Sequence, residues 1–494
     1  MNRKLSLCLF IVGFCLTDHM SMAQQRVEYS LVQVVDRAKA QSPAALRVET
    51  QRENRYWQYR LFRSNYNPQL RLGGTIPGFT QAFNNVEQPD GTFVPRQIRQ
   101  NLMDVELGVQ QEIAATGGVI SVNSSTNRFD NFLAPAGLPR TQWTGVPVNV
   151  RVSQPIFNFN RLKWDKKIEP LRYEESKREF VEAMEGISRT VTNLFFDYLE
   201  AQVNLEISTL NLKNTEDIFK IEQGRYNIGM TYEDKLLQVE LQVLQAKQQL
   251  AQARLDMEER SLRLKSFVGL NEATDLILVV PQDIPDFTVP VDEALQRAYQ
   301  NRAAALGFER KRIEGDAEIA RARGQRFDMT INASYGLNNA GLDWRDLYTD
   351  PNRQTLVNLG FYIPVLDWGR NKARMGQAKA AKKLIEYEVD QEMIDFEQLI
   401  YTKVKNFEML KDRMEVTKVS DLVAEKRYEI SLGRYQTGGV TITDLNIAQQ
   451  EKDSNRRAYI QSLRDYWYAY YEMRAITLYD FENKRLLYNP ENID

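Results

Sequence analysis

Apolar residues recur at every third or fourth position along much of the chain. One such run is Phe180, Met184, Ile187, Val191 and Leu194. This spacing predicts helices that pack side by side along a coiled-coil seam. Because proline is absent from 171–280 and from 365–489, each stretch can form long, uninterrupted helices. The first long helix is predicted from about 162 to 223, roughly 90 Å at about 1.5 Å per residue, and its counterpart from about 370 to 433.

A second pattern, alternation of apolar and polar residues, precedes each long helix. Every second residue of 146–153 is Val, and the segments 355–364, 103–110 and 331–337 also alternate. Short segments with one apolar and one polar face are typical of a transmembrane β-barrel. A soluble sheet with one buried face alternates in the same way, so the pattern alone leaves both structures open.

The same order of elements is written twice in the sequence. RYNIGMTYEDKLL at 225–237 resembles RYQTGGVTITDLN at 434–446, and the matched residues are 209 positions apart. The segments around Pro155 and Pro364, where a strand pattern changes to a helix pattern, are separated by the same 209 residues. Each copy therefore holds strand segments, a long helix, a tight turn with an RY…G signature and a second helix. This duplication indicates two structural repeats.

The domain boundaries follow from these matches. The beginnings of the two copies match at an offset of 260 residues, so the first copy holds about 51 extra residues between Leu70 and Pro155. The extra residues would add two strands, for six in all, or fold elsewhere. The predicted domains are a signal peptide at 1–23; a first repeat at 24–278, with a helix, β segments at about 68–157 and a long helical hairpin at about 160–268; a Pro-rich linker at 279–290; a second repeat at 291–482, with a helix, β segments at about 328–364 and a long helical hairpin at about 368–480; and a C-terminal tail at 483–494.

The N-terminus has the composition of a secretory signal peptide. Arg3 and Lys4 precede the apolar run 5–16, and small residues precede a predicted cleavage site after Ala23. The apolar run is too short to span roughly 30 Å of hydrocarbon, which argues against a membrane anchor. The only cysteines and histidine in the sequence lie in this segment: Cys8, Cys15 and His19. Their removal would exclude cysteine nucleophiles, Ser-His-Asp triads and zinc sites that use His or Cys.

Charge and composition narrow the function further. The formal net charge is −2, from 64 basic and 66 acidic residues, so the sequence gives no reason to expect nucleic acid as a partner. A secreted hydrolase that uses only carboxylates stays open, but such long helices do not readily build a compact cleft. A periplasmic adaptor or coiled-coil scaffold protein is a further alternative, because such proteins also contain long helical hairpins. We expect no enzymatic activity, no cofactor and no metal site.

The strands and the long helices need different surroundings. An unpaired sheet edge is unfavourable in lipid, because its backbone groups find no hydrogen-bond partners there. Six strands are also too few for a sizeable pore, so the barrel would need strands from further copies of the chain. The helices lack the unbroken apolar run of a membrane span and would lie in water. The predicted fold class is therefore a mixed α/β membrane channel. Its transmembrane β-barrel, shared between protomers, continues into a long periplasmic α-helical barrel, and the chain contains an internal tandem repeat.

The signal peptide, the tandem repeat, the strand–Pro–helix junctions and the two RY…G turns together resemble the TolC-type outer-membrane efflux proteins. The resemblance covers essentially the whole exported chain. It implies a homotrimer in the outer membrane of a Gram-negative bacterium, in contact with outer-membrane lipid and with a periplasmic helical extension. It also implies two partners, a periplasmic adaptor (membrane fusion protein) and an inner-membrane RND or ABC pump. The chain would be the gated, passive conduit of a tripartite efflux or type I secretion system.

The resemblance also implies roles for individual residues. The periplasmic tip in contact with the adaptor would contain Arg225, Tyr226, Gly229, Arg434, Tyr435 and Gly438. The gate or constriction would contain Asp444, Asp234 and Tyr435. Asp444 matches an acidic ring in the family, and three such carboxylates on one axis would favour cations. Tyr435 matches a tyrosine that tethers neighbouring helices, with Asp234 or Glu233 as its acceptor. The sequence departs from the family at Lys235 and Ile447, where acids are expected.

Each of these residues also has a purely structural explanation. Gly229 and Gly438 would permit a positive φ in the turns. The helix dipole would favour the two arginines at helix ends and Asp444 in a first helical turn.

The junctions are predicted from their own residues. Pro155 and Pro364 have no N–H to donate and would end strand hydrogen bonding. Asp367 would cap the helix that Arg370 begins, and Asn158 is its equivalent in the first copy. These segments are then structural joints between barrel and helices.

Overall fold

The computed structural model describes residues 26–271 and 275–489, so the predicted signal peptide lies outside the described residues. The chain divides into two compact units. The turn unit comprises the described residues up to Leu46, Ile187–Pro285 and Leu410–Tyr468. The sheet unit comprises Arg47–Gly186, Asp286–Met409 and the described residues from Ala469 onward.

The helices show the duplication most directly. Their bounds are α1 Leu31–Gln41, α2 Pro43–Ser64, α3 Arg161–Asn227, α4 Glu233–Val268, α5 Val291–Asn301, α6 Ala303–Gly324, α7 Arg370–Gln436 and α8 Ile442–Thr477. Helices α3 and α7 each contain 67 residues, and α4 and α8 each contain 36. At about 1.5 Å per residue, α3 and α7 are each roughly 100 Å long. Across residues 26–271 and 275–489, none of the helices has the length and apolar character needed to cross a bilayer.

The strands form one large sheet and two small ones. Their bounds are β1 Arg26–Tyr29, β2 Gln69–Thr75, β3 Phe79–Glu87, β4 Phe93–Ile113, β5 Gly118–Asn131, β6 Thr141–Ile156, β7 Asp275–Leu278, β8 Asp328–Gly341, β9 Asn352–Tyr362, β10 Tyr479–Asp480 and β11 Arg485–Leu486. A short 3₁₀ turn at Trp344–Tyr348 lies between β8 and β9.

The large sheet belongs to the sheet unit and is antiparallel throughout. Its order is β2-β4-β5-β6-β8-β9, and β3 also pairs with β4. Because β2 pairs with 104–110 and β3 with 93–101, these two strands follow one another along the same side of β4. The sheet is therefore six strands wide. Strands β4 and β5 have no equivalent between α6 and α7, so the extra segment of the first copy is part of the sheet.

Two prolines lie within β6 and are tolerated for different reasons. Pro147 lies where the pairing of β6 with β8 shifts register between Gly145 and Val148. Such a bulge leaves a residue unpaired, and proline is accepted there because its missing N–H is not needed. Pro155 was expected to end the strand, but it pairs with Thr330 and β6 continues to Ile156. It lies two residues beyond Ser153, the last β6 residue that pairs with β5, so only β8 remains beside it.

The turn unit contains a small parallel sheet that the sequence did not predict. Strand β1 pairs with β7 over four residues. The hydroxyl of Tyr198 on α3 donates to the carbonyl of Leu276 on β7 at 2.5 Å. Tyr198 and its neighbours Phe195 and Leu199 are almost completely buried. This part of α3 is therefore fixed by its own apolar core as well as by the helical hairpins.

The far C-terminal residues pack within the sheet unit. Strand β10 pairs with β11, and Asp480 on β10 accepts a hydrogen bond from Arg474 at 2.7 Å. Arg474 also pairs with Glu185 on α3 at 3.1 Å. Tyr488 is buried in a cluster with Val181. Of the predicted tail, Tyr488 is buried and Leu487 half-buried, 483–486 are exposed, and 490–494 lie outside the described residues.

Candidate functional site: the paired turns of the long hairpins

The two RY…G turns have the same backbone structure. In the first, Gly229 N–H donates to the Tyr226 carbonyl at 2.9 Å, and Met230 N–H donates to the Arg225 carbonyl at 2.8 Å. In the second, Gly438 N–H donates to the Tyr435 carbonyl at 3.0 Å, and Gly439 N–H donates to the Arg434 carbonyl at 2.7 Å. Both are Schellman motifs, which satisfy the last carbonyls of a helix.

The glycine in each turn is required by this geometry. Gly229 has φ +72° and Gly438 has φ +81°. A Cβ at either position would meet no heavy atom within 4 Å, so crowding does not explain the glycine. The left-handed backbone conformation does, because it strains residues that carry a Cβ.

Tyr435 is held in a buried polar contact between the two hairpins. Its hydroxyl donates to Glu222 Oε1 at 2.6 Å, and its ring lies 5.3 Å from the guanidinium carbon of Arg225. Arg225 in turn pairs with Glu222 at 2.7 Å and donates to the Tyr435 carbonyl at 3.4 Å. We call Glu222, Arg225 and Tyr435 the tyrosine lock. It joins the end of α3 to the end of α7.

The acceptor of Tyr435 differs from the one expected. Asp234 or Glu233 at the start of α4 was predicted for this role, but within the chain the Tyr435 hydroxyl donates to Glu222 near the end of α3. The side chain of Asp234 is 72% exposed, with Lys235 Nζ at 3.9 Å. Asp234 belongs to the first turn of α4, where a carboxylate is stabilised by the helix dipole without any further contact.

Burial decides how the lock responds to pH. Burial, and then the hydrogen bond to Glu222, raise the pKa of Tyr435 well above its usual value. A raised tyrosine pKa means that the neutral donor form is favoured in the folded state. The stabilisation from this bond is therefore complete below the usual pKa of about 10 and is lost only as the pH rises towards the folded value.

The lock rests on an apolar cluster that holds the two hairpins together. Its buried members are Ile218, Val239, Tyr428, Tyr435, Ile442, Leu445 and Ala448. They come from all four long helices, so the ends of both hairpins share one core. The hydroxyl of Tyr428 accepts a hydrogen bond from Asn214 Nδ2 at 2.9 Å, which adds a second polar link between α3 and α7.

The side chains of the first turn face outward. Tyr226, the counterpart of Tyr435, is 40% exposed. Ile228, Met230 and Tyr232 are 69%, 75% and 81% exposed. Large apolar side chains clustered on one exposed turn are typical of a protein-binding surface. We call Ile228, Met230 and Tyr232 the apolar tip.

Asp444 has a clear local role at the start of α8. Its carboxylate accepts hydrogen bonds from the Thr441 N–H at 3.0 Å and the Thr441 hydroxyl at 2.7 Å, and its own N–H donates back to that hydroxyl at 3.2 Å. This reciprocal pair is a capping box. These hydrogen bonds lower the pKa of Asp444, and the positive charge of Arg434 lowers it further. Asp444 stays exposed, as does Arg434.

The two junctions in the sheet unit use different caps. Asp367 accepts from Gly369 N–H at 2.9 Å and from Asn371 N–H at 3.0 Å, in the first turn of α7 that begins at Arg370. Pro364 follows the end of β9 at Tyr362.

In the first copy, Asn158 was expected to cap α3, but Asn160 does so by accepting from Lys163 N–H at 3.0 Å. Asn160 directly precedes α3, whereas the equivalent residue of the second copy is Gly369, which has no side chain to accept a bond.

Both junctions also hold a bulky residue in the left-handed region. Phe157 has φ 64° and Trp368 has φ 50°. Phe157 is 74% exposed and Trp368 is 90% exposed. This conformation is unfavourable for a residue with a large side chain and is retained where the surroundings impose it. These two exposed aromatic residues follow the ends of β6 and β9. Aromatic residues near strand ends are typical of the interfacial girdles of membrane barrels.

Sequence reasoning missed Glu222 and the apolar tip. Comparison of the two copies carried a signal for each. Glu222 lies three residues before Arg225, whereas the equivalent residue 209 positions later is Ser431, so only one copy can supply a carboxylate there. Met230 likewise corresponds to Gly439. In the part of the chain that the structure describes, no cluster of His, Cys, Asp and Glu side chains could hold a metal ion.

Several solved structures share this fold at low sequence identity. The Campylobacter jejuni CmeC outer membrane channel matches with a TM-score of 0.64 and 14% identity, over 92% of this chain and 87% of that one. The Vibrio cholerae outer membrane protein VceC matches with a TM-score of 0.60 and 15% identity, over 91% and 95%. The open state of the Neisseria gonorrhoeae MtrE outer membrane channel matches with a TM-score of 0.58 and 15% identity, over 93% and 91%.

The sequence comparisons agree with the fold. Among curated proteins no sequence matches significantly. The family described as "Outer membrane efflux protein" matches residues 34–270 and 290–477, one match in each half of the duplicated chain. This match favours a channel over the adaptor or scaffold alternative and over an enzyme, and it confirms the internal repeat. The chain therefore belongs to the outer membrane efflux protein family, the TolC-like channels of the Gram-negative outer membrane with a periplasmic helical tunnel.

Proposed function

We propose that three copies of this chain form the gated outer-membrane conduit of a tripartite efflux or type I secretion system. An inner-membrane RND or ABC pump would supply the energy, and a periplasmic adaptor would connect the pump to the helical hairpins. The observation that carries this proposal is the combination, in one chain, of a two-faced antiparallel sheet with paired long hairpins that end in matched turns. A passive conduit needs both parts, a wall in lipid and a tube in water.

The apolar tip supports docking of the adaptor at the first turn. Its three side chains are among the most exposed large apolar residues of the turn unit. An adaptor with an apolar surface would remove them from water, which is favourable by about 25 cal/mol for each Å² buried. The second turn offers small or polar residues at the matching positions, including Thr437 and Gly439. Arg225, Tyr226, Gly229, Arg434, Tyr435 and Gly438 would form the frame of the same tip.

The tyrosine lock supports a gate at the same end of the hairpins. It connects α3 to α7 through a buried tyrosine, a buried carboxylate and a partly buried guanidinium. Opening the tube would require the two hairpins to separate and untwist at their turns, and the lock would have to break. The closed state would then be the one with Tyr435 bonded to Glu222.

Asp444 supports a selectivity ring next to the gate. Its carboxylate is exposed and its pKa is lowered, so it carries a negative charge at neutral pH. Three such charges around a threefold axis would favour cations over anions. Because Ile447 is apolar, the ring would consist of one acid per chain rather than two.

The test combines conductance with export. Purified protein in planar bilayers should form channels, and Tyr232→Glu and Met230→Glu should retain trimers and conductance. A native-host strain that lacks the gene should regain resistance to a panel of dyes, bile salts and antibiotics with the wild-type gene but not with either variant. Leu255→Glu places the same charge on an exposed leucine of α4 away from the turn and should restore resistance fully.

Each arm of this test can fail separately. A purified trimer without conductance would contradict the conduit. Full resistance with Tyr232→Glu and Met230→Glu would remove the apolar tip as the adaptor contact and leave the conduit standing.

A further inference from the structure

We propose that each protomer contributes six strands to the membrane wall and that β9 of one copy pairs with β2 and β3 of the next. This inference rests on the proposed trimer. Three protomers of six strands would give a barrel of eighteen, whereas protomers without β4 and β5 in the wall would contribute four strands each and give twelve. The additional strands are β4 and β5, and the question is whether they lie in lipid with the others.

One face of the sheet is apolar across all six strands. The strand pairing aligns one row of residues, in order Leu70, Val109, Val122, Val150, Tyr335 and Thr355. Five of the six are apolar or aromatic, and these five are between 37% and 69% exposed. The next row on the same face contains Gln111, Ile120, Val152, Ala333 and Val357. An extended exposed apolar face on a sheet is what lipid contact requires.

The opposite face is polar across the same six strands. The aligned row there is Arg71, Gly108, Asn123, Asn149, Gly336 and Gln354. Asn149 Nδ2 donates to Asn123 Oδ1 at 3.2 Å, and Ser153 donates to Asn332 at 2.8 Å. Strands β4 and β5 therefore have the same apolar and polar sides as β6, β8 and β9. An appended domain outside the membrane would have no reason to continue both faces in register.

The two edges of the sheet fit a second copy of the chain. All residues of β2 and β9 are exposed, and each of these strands has a neighbour in the sheet on one side only. Because adjacent strands alternate in direction across six positions, β9 runs opposite to β2 and β3. Pairing between copies would thus stay antiparallel, and it would remove the open edges that lipid does not tolerate.

The inner turn of the extra hairpin is held in place without a helix of its own. Asn160 Nδ2, at the start of α3, donates to the Ala114 carbonyl at 2.9 Å. Gln154 Nε2 donates to the Thr116 carbonyl at 3.1 Å. A Cβ on Gly117 would lie 3.1 Å from Asn160, so this turn fits closely against the junction. The four long helices per chain would therefore support six strands.

A wider barrel would change what limits passage. Barrel diameter rises roughly in proportion to strand number, so eighteen strands give about 1.5 times the diameter of twelve. The wall in the membrane would then not restrict solutes that the helical tube admits, and bulky solutes would be compatible with it.

Pairs of cysteines test the six-strand wall in outer-membrane trimers of the full chain. The sequence has cysteine only at positions 8 and 15, in the predicted signal peptide, so introduced pairs are free of background. Val122→Cys with Val150→Cys joins directly opposite residues of β5 and β6 and should form a disulfide on mild oxidation. Val150→Cys with Tyr335→Cys is the matched control between β6 and β8, which are adjacent in either arrangement.

Leu70→Cys with Val150→Cys should not form a disulfide, because β4 and β5 separate β2 from β6. A disulfide in this pair, or none in the Val122–Val150 pair while the control forms, would overturn the inference. Absence of trimers or of the control disulfide would instead count against the proposed function.

Polymer exclusion measures the width directly. Neutral polyethylene glycols of increasing size, added to the extracellular side of single channels, should enter the wild-type barrel up to a radius about 1.5 times that for a variant lacking Gln88–Asn131. That deletion removes β4 and β5 and joins β3 to the loop before β6. Equal cut-off radii would overturn the wide barrel. If the deletion variant does not assemble, the cysteine pairs decide the question.

Discussion

The turn between α3 and α4 and the turn between α7 and α8 share a backbone conformation and differ in the burial and contacts of their tyrosines. Both are Schellman motifs with a glycine at positive φ. Yet Tyr435 is 2% exposed and bonded to Glu222, whereas Tyr226 is 40% exposed. The two copies share the glycine that the backbone of the turn requires, but they differ in the surroundings of the tyrosine. One copy of the tyrosine belongs to a buried link, and the other is free for a partner.

The two turns also differ in charge at equivalent positions. Lys235 and Asp444 occupy the same place in the two repeats and have opposite charge. Asp444 completes the capping box of α8, whereas Tyr232, at the start of α4, provides no side-chain cap. The first turn is therefore more apolar and leads into a helix without a side-chain cap, whereas the second leads into a capped helix. Substitutions at matched positions should separate docking from gating.

The largest effect is expected from Glu222→Ala. The change would leave the buried Tyr435 hydroxyl without an acceptor and Arg225 without its carboxylate. Because Arg225 is partly exposed, we expect a loss of about 2–3 kcal/mol in local stability of the turns. Hydrogen exchange of the turn amides measures this loss, and single-channel recordings should show a larger mean conductance.

Ser431→Ala is the matched control for Glu222→Ala. It alters the equivalent position of the second repeat, and it should change local exchange by no more than about 0.5 kcal/mol. Unchanged conductance in Glu222→Ala would contradict the lock as a gate.

A smaller effect is expected from Tyr435→Phe. Glu222 would lose one hydrogen-bond donor but keep Arg225, so the cost should be about 1–2 kcal/mol in the same exchange measurement. Tyr226→Phe removes the same hydroxyl from the exposed copy and should have no measurable effect on exchange or conductance. Equal effects of the two substitutions would mean that the tyrosines are equivalent in the assembled channel and that their different burial within the chain has no bearing on gating.

The long helices could be predicted from sequence because their signals are local and repeated. The first was expected at about 162–223 and extends over Arg161–Asn227. The turns followed from Gly229 and Gly438. Glu222 was missed because its partner is more than 200 residues away, and no local pattern identifies it. The pairing of β1 with β7 was missed for the same reason.

The junctions show a second limit of sequence reasoning. Asn158 and Asp367 are equivalent by position, yet Asn160 caps the first helix. Helices α3 and α7 begin at equivalent residues, so the difference lies in the residue directly before each helix, where Asn160 offers a side-chain acceptor and Gly369 does not. A side-chain role can therefore shift by two residues between copies of one repeat.

The smallest structural effect is expected from Asp444→Asn, which separates loss of the negative charge from loss of the helix cap. Asparagine keeps an acceptor for the Thr441 N–H, so the start of α8 should be preserved while the negative charge is lost. In bilayers with a salt gradient, the reversal potential should move towards zero. Asp444→Ala should move the reversal potential equally but also lower the melting temperature, because the capping box is broken.

The lowered pKa of Asp444 adds a check in the wild type. A depressed carboxyl pKa means that the charge is complete above the usual value of about 3.9 and is lost only as the pH falls below it. Cation preference should therefore be unchanged between pH 7 and about 5. If the reversal potential of Asp444→Asn equals that of the wild type, Asp444 does not line the conduction path and acts as a helix cap alone.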